Sequence, residues 1–109
     1  MKRSSVNNVE VVVLDGRIDQ EELEELQEVL DDCLKEGLYN VCLDMVNVKF
    51  ICSRALGLLN KKKQEYKKKD GDIKLVIVDE VILKPFQITM LDTIFEIFES
   101  KRECVNAFY

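Results

Sequence analysis

The chain alternates between two hydrophobic periodicities, and this alternation constrains its fold more than any other feature. Four short segments are β-branched or carry apolar residues at every second position, as strands do: Val9–Leu14, Tyr39–Met45, Ile73–Val78 and Ile94–Phe98. Each of them precedes a segment that has helical apolar spacing or a helix-capping pattern. This strand–helix repeat predicts an α/β fold (βαβαβαβα) with a mostly parallel sheet of four to five strands and right-handed crossovers.

Several local signals set the expected element boundaries. Asp15-Gly16 predicts a turn that ends the first strand. Asp19 is the expected N-cap of the first helix, with Glu22 at the reciprocal position of a capping box. Pro85 predicts that the regular part of the third helix begins close to it, because proline is best tolerated in the first turn of a helix. Ser100 opens a second capping box and predicts the start of the last helix.

The composition favours one globular domain that spans residues 1–109. Hydrophobic residues make up 47% of the chain, which is enough for a core, and no linker or internal repeat interrupts it. The 21 acidic residues outnumber the 16 basic ones, so the net charge is −5 and a phosphate-binding basic face is not favoured. The apolar run Val11–Leu14 is too short for a membrane span or a signal sequence. We therefore expect a cytoplasmic protein that binds neither nucleic acid nor membrane.

The chain contains no histidine, which excludes Ser-His-Asp and Cys-His catalytic devices and imidazole metal ligands. Its four cysteines, Cys33, Cys42, Cys52 and Cys104, are too far apart for a C-x-x-C motif, and we expect them to be reduced and mostly buried. No glycine-rich phosphate-binding loop is present. The sequence therefore predicts neither an enzyme nor a bound metal or cofactor.

The segment Val46–Leu59 carries the most informative motif. It places Ser53 between a strand and a helix, in the expected cap position, with small or apolar residues behind it. Here the chain resembles the STAS domain family, specifically its stand-alone bacterial anti-sigma factor antagonists, whose pattern is aromatic-[Ile/Met]-Asp-Ser-[Ser/Ala]-Gly-Leu-Gly. Further segments are similar to family motifs in the same order and spacing: Leu14–Asp19, Val41–Met45 and Thr89–Ile97.

The resemblance implies a STAS-like single domain with a regulatory function. In that family the serine directly after the motif's Asp is the phosphoacceptor, and this position corresponds to Ser53. The resemblance implies that the domain binds an anti-sigma factor, which is also an ATP-dependent serine kinase, that phosphorylation blocks binding, and that a serine phosphatase resets the switch. The implied partner-binding residues surround the start of this helix: Asp19, Cys52, Ser53, Arg54, Ala55 and Leu56. We expect a monomer or a weak dimer.

The motif departs from the family pattern beside its serine. Cys52 stands where the family has Asp, Arg54 replaces a small residue, and Ala55 replaces Gly. Met90 replaces a further Gly in the later motif. These changes weaken the expectation of phosphorylation more than that of the fold. The alternatives are an unphosphorylated STAS scaffold or constitutive protein-binding module, in which Ser53 is a plain helix cap, and a thiol sensor at Cys52.

Charged residues are segregated along the chain. The lysines of the second helix are expected to form a solvated face, with an acidic protein partner and then RNA as the alternatives: Lys61, Lys62, Lys63, Lys67, Lys68 and Lys69. Tyr66 is expected in the core. The acidic residues of 21–36 are expected to be solvated or to steer a basic partner. The carboxylates of three residues could cluster near the strand ends and form a site: Asp15, Asp19 and Asp44.

Overall fold

Five strands form one sheet whose spatial order follows the order of the chain. The computed structural model describes all residues from 1 to 109. The strands are β1 (Lys2–Val6), β2 (Val9–Ile18), β3 (Asn40–Ile51), β4 (Asp72–Val76) and β5 (Ile97–Phe98). The helices are α1 (Gln20–Lys35), α2 (Ser53–Lys67), α3 (Glu80–Ile88) and α4 (Lys101–Asn106), with a short 3₁₀ turn at Leu91–Thr93. Only the β1–β2 pair is antiparallel, so the predicted α/β fold with a mostly parallel sheet is confirmed.

The two faces of the sheet are covered unequally. Alternate residues of β2, β3 and β4, such as Leu14, Leu43 and Leu75, pack with α1, α2 and α3 in a cluster of 22 buried residues. The intervening strand residues form a cluster of six with α4: Val9, Val11, Cys42, Val76, Cys104 and Val105. Right-handed crossovers between successive neighbours fall on the same side, so the three crossover helices share one face and leave the other to α4.

Strand β1 was not predicted from the sequence, which placed the first strand at Val9. Val6 pairs with Val9, so the connection is a two-residue turn formed by Asn7 and Asn8. Both asparagines have positive φ, 51° and 65°, as a type I′ hairpin turn requires. The strand itself is mostly polar, because an edge strand buries little of its surface.

The two central strands extend further than the sequence predicts. Asp15-Gly16 was expected to end β2, but the strand continues to Ile18, and the facing strand β3 carries one extra residue at each of two bulges opposite this segment. Gly16 has φ +68°, a conformation that glycine adopts at little cost. Strand β3 likewise continues past the expected end at Met45 as far as Ile51. Both extensions lengthen the same edge of the sheet.

The helix starts agree with the predicted caps in part. The Asp19 carboxylate accepts a hydrogen bond from the Gln20 N–H at 2.9 Å, which confirms the N-cap of α1. The capping box is not completed, because one Glu22 carboxylate oxygen is buried without a hydrogen bond. The Ser100 hydroxyl accepts from the Glu103 N–H at 3.1 Å, which confirms the start of α4.

The third helix and the last strand differ from the prediction. Helix α3 begins at Glu80, where the Asp79 carboxylate accepts from the Val81 N–H at 2.8 Å, and Pro85 lies inside it rather than near its start. Residues 94–96 do not join β5, because the chain leaves α3 through Met90 and a 3₁₀ turn. Met90 has φ 64°, which explains why glycine suits this position of the family motif.

Two lysines of α2 are buried, so the expectation of a solvated face is wrong for them. The Lys62 ammonium forms ion pairs with Asp31 and with Glu65, and the Lys63 ammonium pairs with Asp72. Lys61, Lys67, Lys68 and Lys69 are exposed as predicted. Tyr66 is fully buried, which confirms its core position, and its hydroxyl donates to the Leu30 carbonyl oxygen at 2.7 Å.

All four cysteines are free thiols, and all except the half-buried Cys52 are buried, as expected. Burial raises the pKa of the Cys33 thiol. A hydrogen bond with Cys42, together with burial, raises the pKa of Cys104. The Cys33 and Cys104 thiols therefore stay protonated and unreactive at neutral pH. No helix combines the length and the apolar character that a membrane span requires.

Candidate functional site

The long β2–β3 pair brings the starts of two helices together at one edge of the sheet. Ile18 and Ile51 are register partners at the ends of these strands, and the Cys52 N–H donates to the Ile18 carbonyl oxygen at 3.0 Å. Asp19 and Cys52 follow directly and precede α1 and α2. This is the carboxyl edge of the parallel strands, where binding sites of α/β sheets tend to lie.

Ser53 is the first residue of α2 and is exposed, whereas the N-cap is Cys52. The predicted cap position of Ser53 is therefore wrong by one residue. Cys52 is extended, with φ −80° and ψ 161°, and its side chain makes no capping hydrogen bond. The first turn contains no acidic residue, while Arg54 beside Ser53 is exposed. The first N–H groups of the helix thus have no side-chain acceptor, which favours an added anion at this position.

The remaining predicted contact residues divide into exposed and buried ones. Asp19 is half-exposed, and its carboxylate caps α1. Ala55 and Leu56 are 0% and 5% exposed, because they lie on the face of α2 that packs on the sheet. Their side chains therefore offer no contact surface, contrary to the expectation for both. They fix the position of the helix whose exposed start carries Ser53.

Arg17 and Phe50 belong to the same edge, although the sequence did not single them out. They are register partners on β2 and β3, and the Arg17 guanidinium lies 4.2 Å from the centre of the Phe50 ring. Arg17 also lies 3.6 Å from the Asp19 carboxylate. Their pairing depends on the extension of β2 past Gly16 and on the bulge in β3 between Val48 and Phe50, which no local sequence signal reveals.

Two clefts adjoin this edge. One, of about 490 Å³, is entirely polar and is lined by Arg17 and the first residues of α1. The other, of about 210 Å³, lies between the end of β3 and α3 and is mostly apolar. A larger cleft of about 560 Å³ lies farther along, between α3 and residues 92–99.

The suggested carboxylate site is not formed. No group of three or more Cys, Asp or Glu side chains is arranged to hold a metal ion. The Asp44 carboxylate instead accepts a local hydrogen bond from the Val46 N–H at 3.1 Å, and Asp15 is exposed.

Comparison with known proteins connects this architecture to one family. The sequence of residues 3–104 matches the STAS domain. No curated protein sequence is significantly similar to the chain.

The solved structures that are similar include several anti-sigma factor antagonists. A candidate antagonist from Thermotoga maritima has a TM-score of 0.91 at 21% identity, over 98% of this chain and 92% of that one. An antagonist from Mycobacterium paratuberculosis has a TM-score of 0.87 at 21% identity, over 98% and 91% of the two chains. The phosphorylated form of the Bacillus cell fate determinant SpoIIAA has a TM-score of 0.77 at 17% identity, over 99% and 98%. At these identities the likeness shows a shared fold.

Proposed function

The chain belongs to the STAS domain family, and on that premise we propose that it is an anti-sigma factor antagonist. It binds an anti-sigma factor, which is also a serine kinase, through the surface around the start of α2. Phosphorylation of Ser53 switches this binding off, and a serine phosphatase restores it. One observation carries the proposal: an exposed serine is the first residue of an uncapped helix, at the position of the family's phosphoacceptor.

The proposed contact surface consists of the side chains that are accessible at this edge. Ser53 and Arg54 are exposed on the first turn of α2, and Asp19 lies across from them at the start of α1. Arg17 and Phe50 extend this surface along the strands. An exposed aromatic ring such as Phe50, with hydrogen-bonding groups around it, suits a protein partner that covers it better than a small ligand.

The electrostatics at the start of α2 suit a phosphoserine. A phosphate adds about −1.5 to −2 charges at pH 7. The helix dipole and the free N–H groups favour that charge, and Arg54 supplies a cation on the adjacent residue. The fold therefore tolerates modification, whereas a partner packed over Ser53 meets added bulk and a desolvated charge. A loss of about 1.4 kcal/mol already weakens binding tenfold.

The phosphoryl transfer itself belongs to the partner. The Ser53 oxygen forms a bond to the γ-phosphorus of ATP, the bond between that phosphorus and the β–γ bridging oxygen breaks, and ADP leaves. The hydroxyl proton passes to a base of the kinase. The domain contributes an accessible hydroxyl on a rigid helix start, which fits a regulatory binding domain.

Variants of Ser53 test the proposal in a binding assay with the anti-sigma factor. Ser53→Ala should bind as the wild type does and resist phosphorylation, and Ser53→Asp should bind at least about tenfold more weakly. Ser4→Asp is the matched control, because Ser4 is exposed on the edge strand β1. If Ser53→Asp loses no more affinity than Ser4→Asp, phosphorylation at this site is not the switch.

A second candidate function is the unswitched binding module. The observation that favours it is the replacement of the motif's Asp by Cys52, since a thiol cannot supply a carboxylate to a kinase beside the acceptor. In that case the anti-sigma factor binds the wild type, Ser53→Ala and Ser53→Asp with equal affinity, and ATP leaves the domain unmodified.

A further inference from the structure

The outward face of α3 is apolar, which is unusual for a surface helix. Val81 and Ile88 are 74% and 70% exposed, and Pro85 lies between them on the same face. Their spacing of four and three residues places them in one stripe along the helix. A helix on the surface of a free domain normally turns polar residues to this side. Exposed apolar patches of this kind are typical of surfaces that bind another molecule.

This stripe continues into the apolar cleft at the end of β3. The cleft is lined by Lys49, Phe50, Ile51, Val81, Ile82 and Pro85 and has a volume of about 210 Å³. We call the cleft and the exposed stripe together the α3 groove. Phe50 lines this cleft and also pairs with Arg17, so the groove is continuous with the surface proposed to bind the anti-sigma factor.

The charges beside the α3 groove are mainly positive, although the chain as a whole is acidic. Lys49 lines the groove, and Lys84 lies on α3 between Val81 and Ile88. Both are exposed, and neither forms an ion pair. The nearest carboxylates on the helix, Asp79 and Glu80, are at its N-terminus, where the helix dipole stabilises them and Asp79 serves as the cap.

We propose that the α3 groove binds an amphipathic segment of a partner protein, whose apolar side chains cover Val81 and Ile88 and whose acidic side chains face Lys49 and Lys84. The identity of the partner as the anti-sigma factor rests on the proposed function, but the chemistry of the segment does not. A second copy of the chain fits less well. A two-fold contact of the groove with itself would bring the unpaired lysines of both copies around one small apolar patch.

Site-specific cross-linking tests the groove directly in cells of the native host. Photoreactive p-benzoylphenylalanine replaces Val81 or Ile88, and it replaces Lys68 in the control, because Lys68 is exposed at the far end of α2. The expected result is a cross-link from positions 81 and 88, but not from 68, to one peptide that combines apolar with Asp or Glu residues. Three results would overturn the proposal: no such cross-link, a cross-link equal to that of the control, or a cross-link to a second copy of the chain.

The cross-linked partner also separates this proposal from the proposed function. If the peptide belongs to an anti-sigma factor, both are supported. If it has the expected chemistry but belongs to another class of protein, the groove is confirmed and its partner is not the anti-sigma factor, whose binding the Ser53 variants test separately. If the anti-sigma factor binds and responds to Ser53→Asp while positions 81 and 88 give no cross-link, the function stands and the groove proposal fails.

Substitutions then test the two chemical features with the purified cross-linked partner. Val81→Asp should weaken binding about tenfold or more, and it should fold normally because a carboxylate suits the first turn of α3. Lys49→Glu combined with Lys84→Glu should weaken binding and reduce its dependence on salt. The control with the same change of charge is Lys68→Glu combined with Lys69→Glu. Equal effects of the two double variants would contradict the assigned charge complementarity.

Discussion

Asp72 connects three lysines at the start of β4, and its replacement by asparagine gives the sharpest test of the packing. The carboxylate is 13% exposed and pairs with Lys63, with Lys67 at 3.4 Å and with Lys74 at 3.3 Å. Lys63 and Lys74 are themselves buried, so Asp72→Asn leaves two buried ammonium groups short of a counter-charge. Lys74 retains Glu96 at 3.1 Å, but Lys63 retains no carboxylate: its remaining contacts are the Ile73 carbonyl oxygen at 3.4 Å and the Phe95 ring, whose centre is 5.2 Å away.

The loss in free energy of unfolding expected for Asp72→Asn follows from these unequal remaining contacts of the two lysines. Removal of one partner of a buried ion pair costs about 3–5 kcal/mol, and the remaining Glu96 contact and the partial exposure reduce this to about 2–3 kcal/mol here. For a chain of 109 residues the melting temperature should fall by about 10 °C. Urea unfolding at pH 7 measures the free energy, with Asp92→Asn, an exposed and unpaired position, as the control. A loss below about 1 kcal/mol would refute the assigned role of Asp72.

Because the Asp72 carboxylate titrates, the loss of stability in Asp72→Asn should depend on pH. Burial raises the pKa of Asp72, but hydrogen bonds and charges of Lys63 and Lys74 outweigh burial and hold the pKa below its ordinary value of 3.8. Its stabilisation is therefore complete above the unfolded-state pKa and is lost as the pH falls through the lower folded-state value. The difference in stability between the wild type and Asp72→Asn should shrink below about pH 4. A constant difference down to the lowest pH would contradict this origin.

Three further variants test single contacts. Cys52→Ser supplies a capping hydroxyl to α2, which has no side-chain cap, and should raise the free energy of unfolding in urea by about 0.5–1 kcal/mol; no gain would mean that this helix start needs no cap. Tyr66→Phe removes the buried hydrogen bond to the Leu30 carbonyl oxygen at 2.7 Å and should cost about 1–2 kcal/mol in the same titration, whereas an unchanged stability would contradict its contribution. Arg17→Ala removes the cation over the Phe50 ring and should weaken binding of the anti-sigma factor about threefold with little change in stability; unchanged affinity would place Arg17 outside the interface.

The parallel core of the fold could be predicted because its signals are local. Helix α1 combines a capping aspartate with regularly spaced apolar residues, and the central strands are runs of apolar residues that a buried sheet requires. Edge strand β1 lacks such a signal, because its pairing with β2 depends on the turn at Asn7 and Asn8 rather than on burial. Asp15-Gly16 is a turn signal that tertiary pairing overrides, since β3 forms bulges opposite this segment and pairs with β2 on both sides of it.

The start of α2 could be predicted in position but not in detail. The motif around Ser53 identified the correct helix start. The N-cap was misplaced by one residue because the boundary between the extended Cys52 and the helical Ser53 is a matter of backbone conformation, which the residue types do not reveal. The burial of Lys62 and Lys63 could not be predicted, because their counter-charges Asp31 and Asp72 come from other elements. The exposed stripe of α3 could not be predicted either, because apolar residues on a helix are expected to face the core.

Phosphorylation of Ser53 is the central claim, and mass spectrometry tests it most directly. The purified domain and its Ser53→Ala variant are incubated with ATP and an extract of the native host, and the modified peptide is sequenced. We expect one added phosphate, located on Ser53, in the wild type and none in the variant. An unmodified wild type, in an extract that phosphorylates another STAS protein, or a phosphate at another residue would contradict the account.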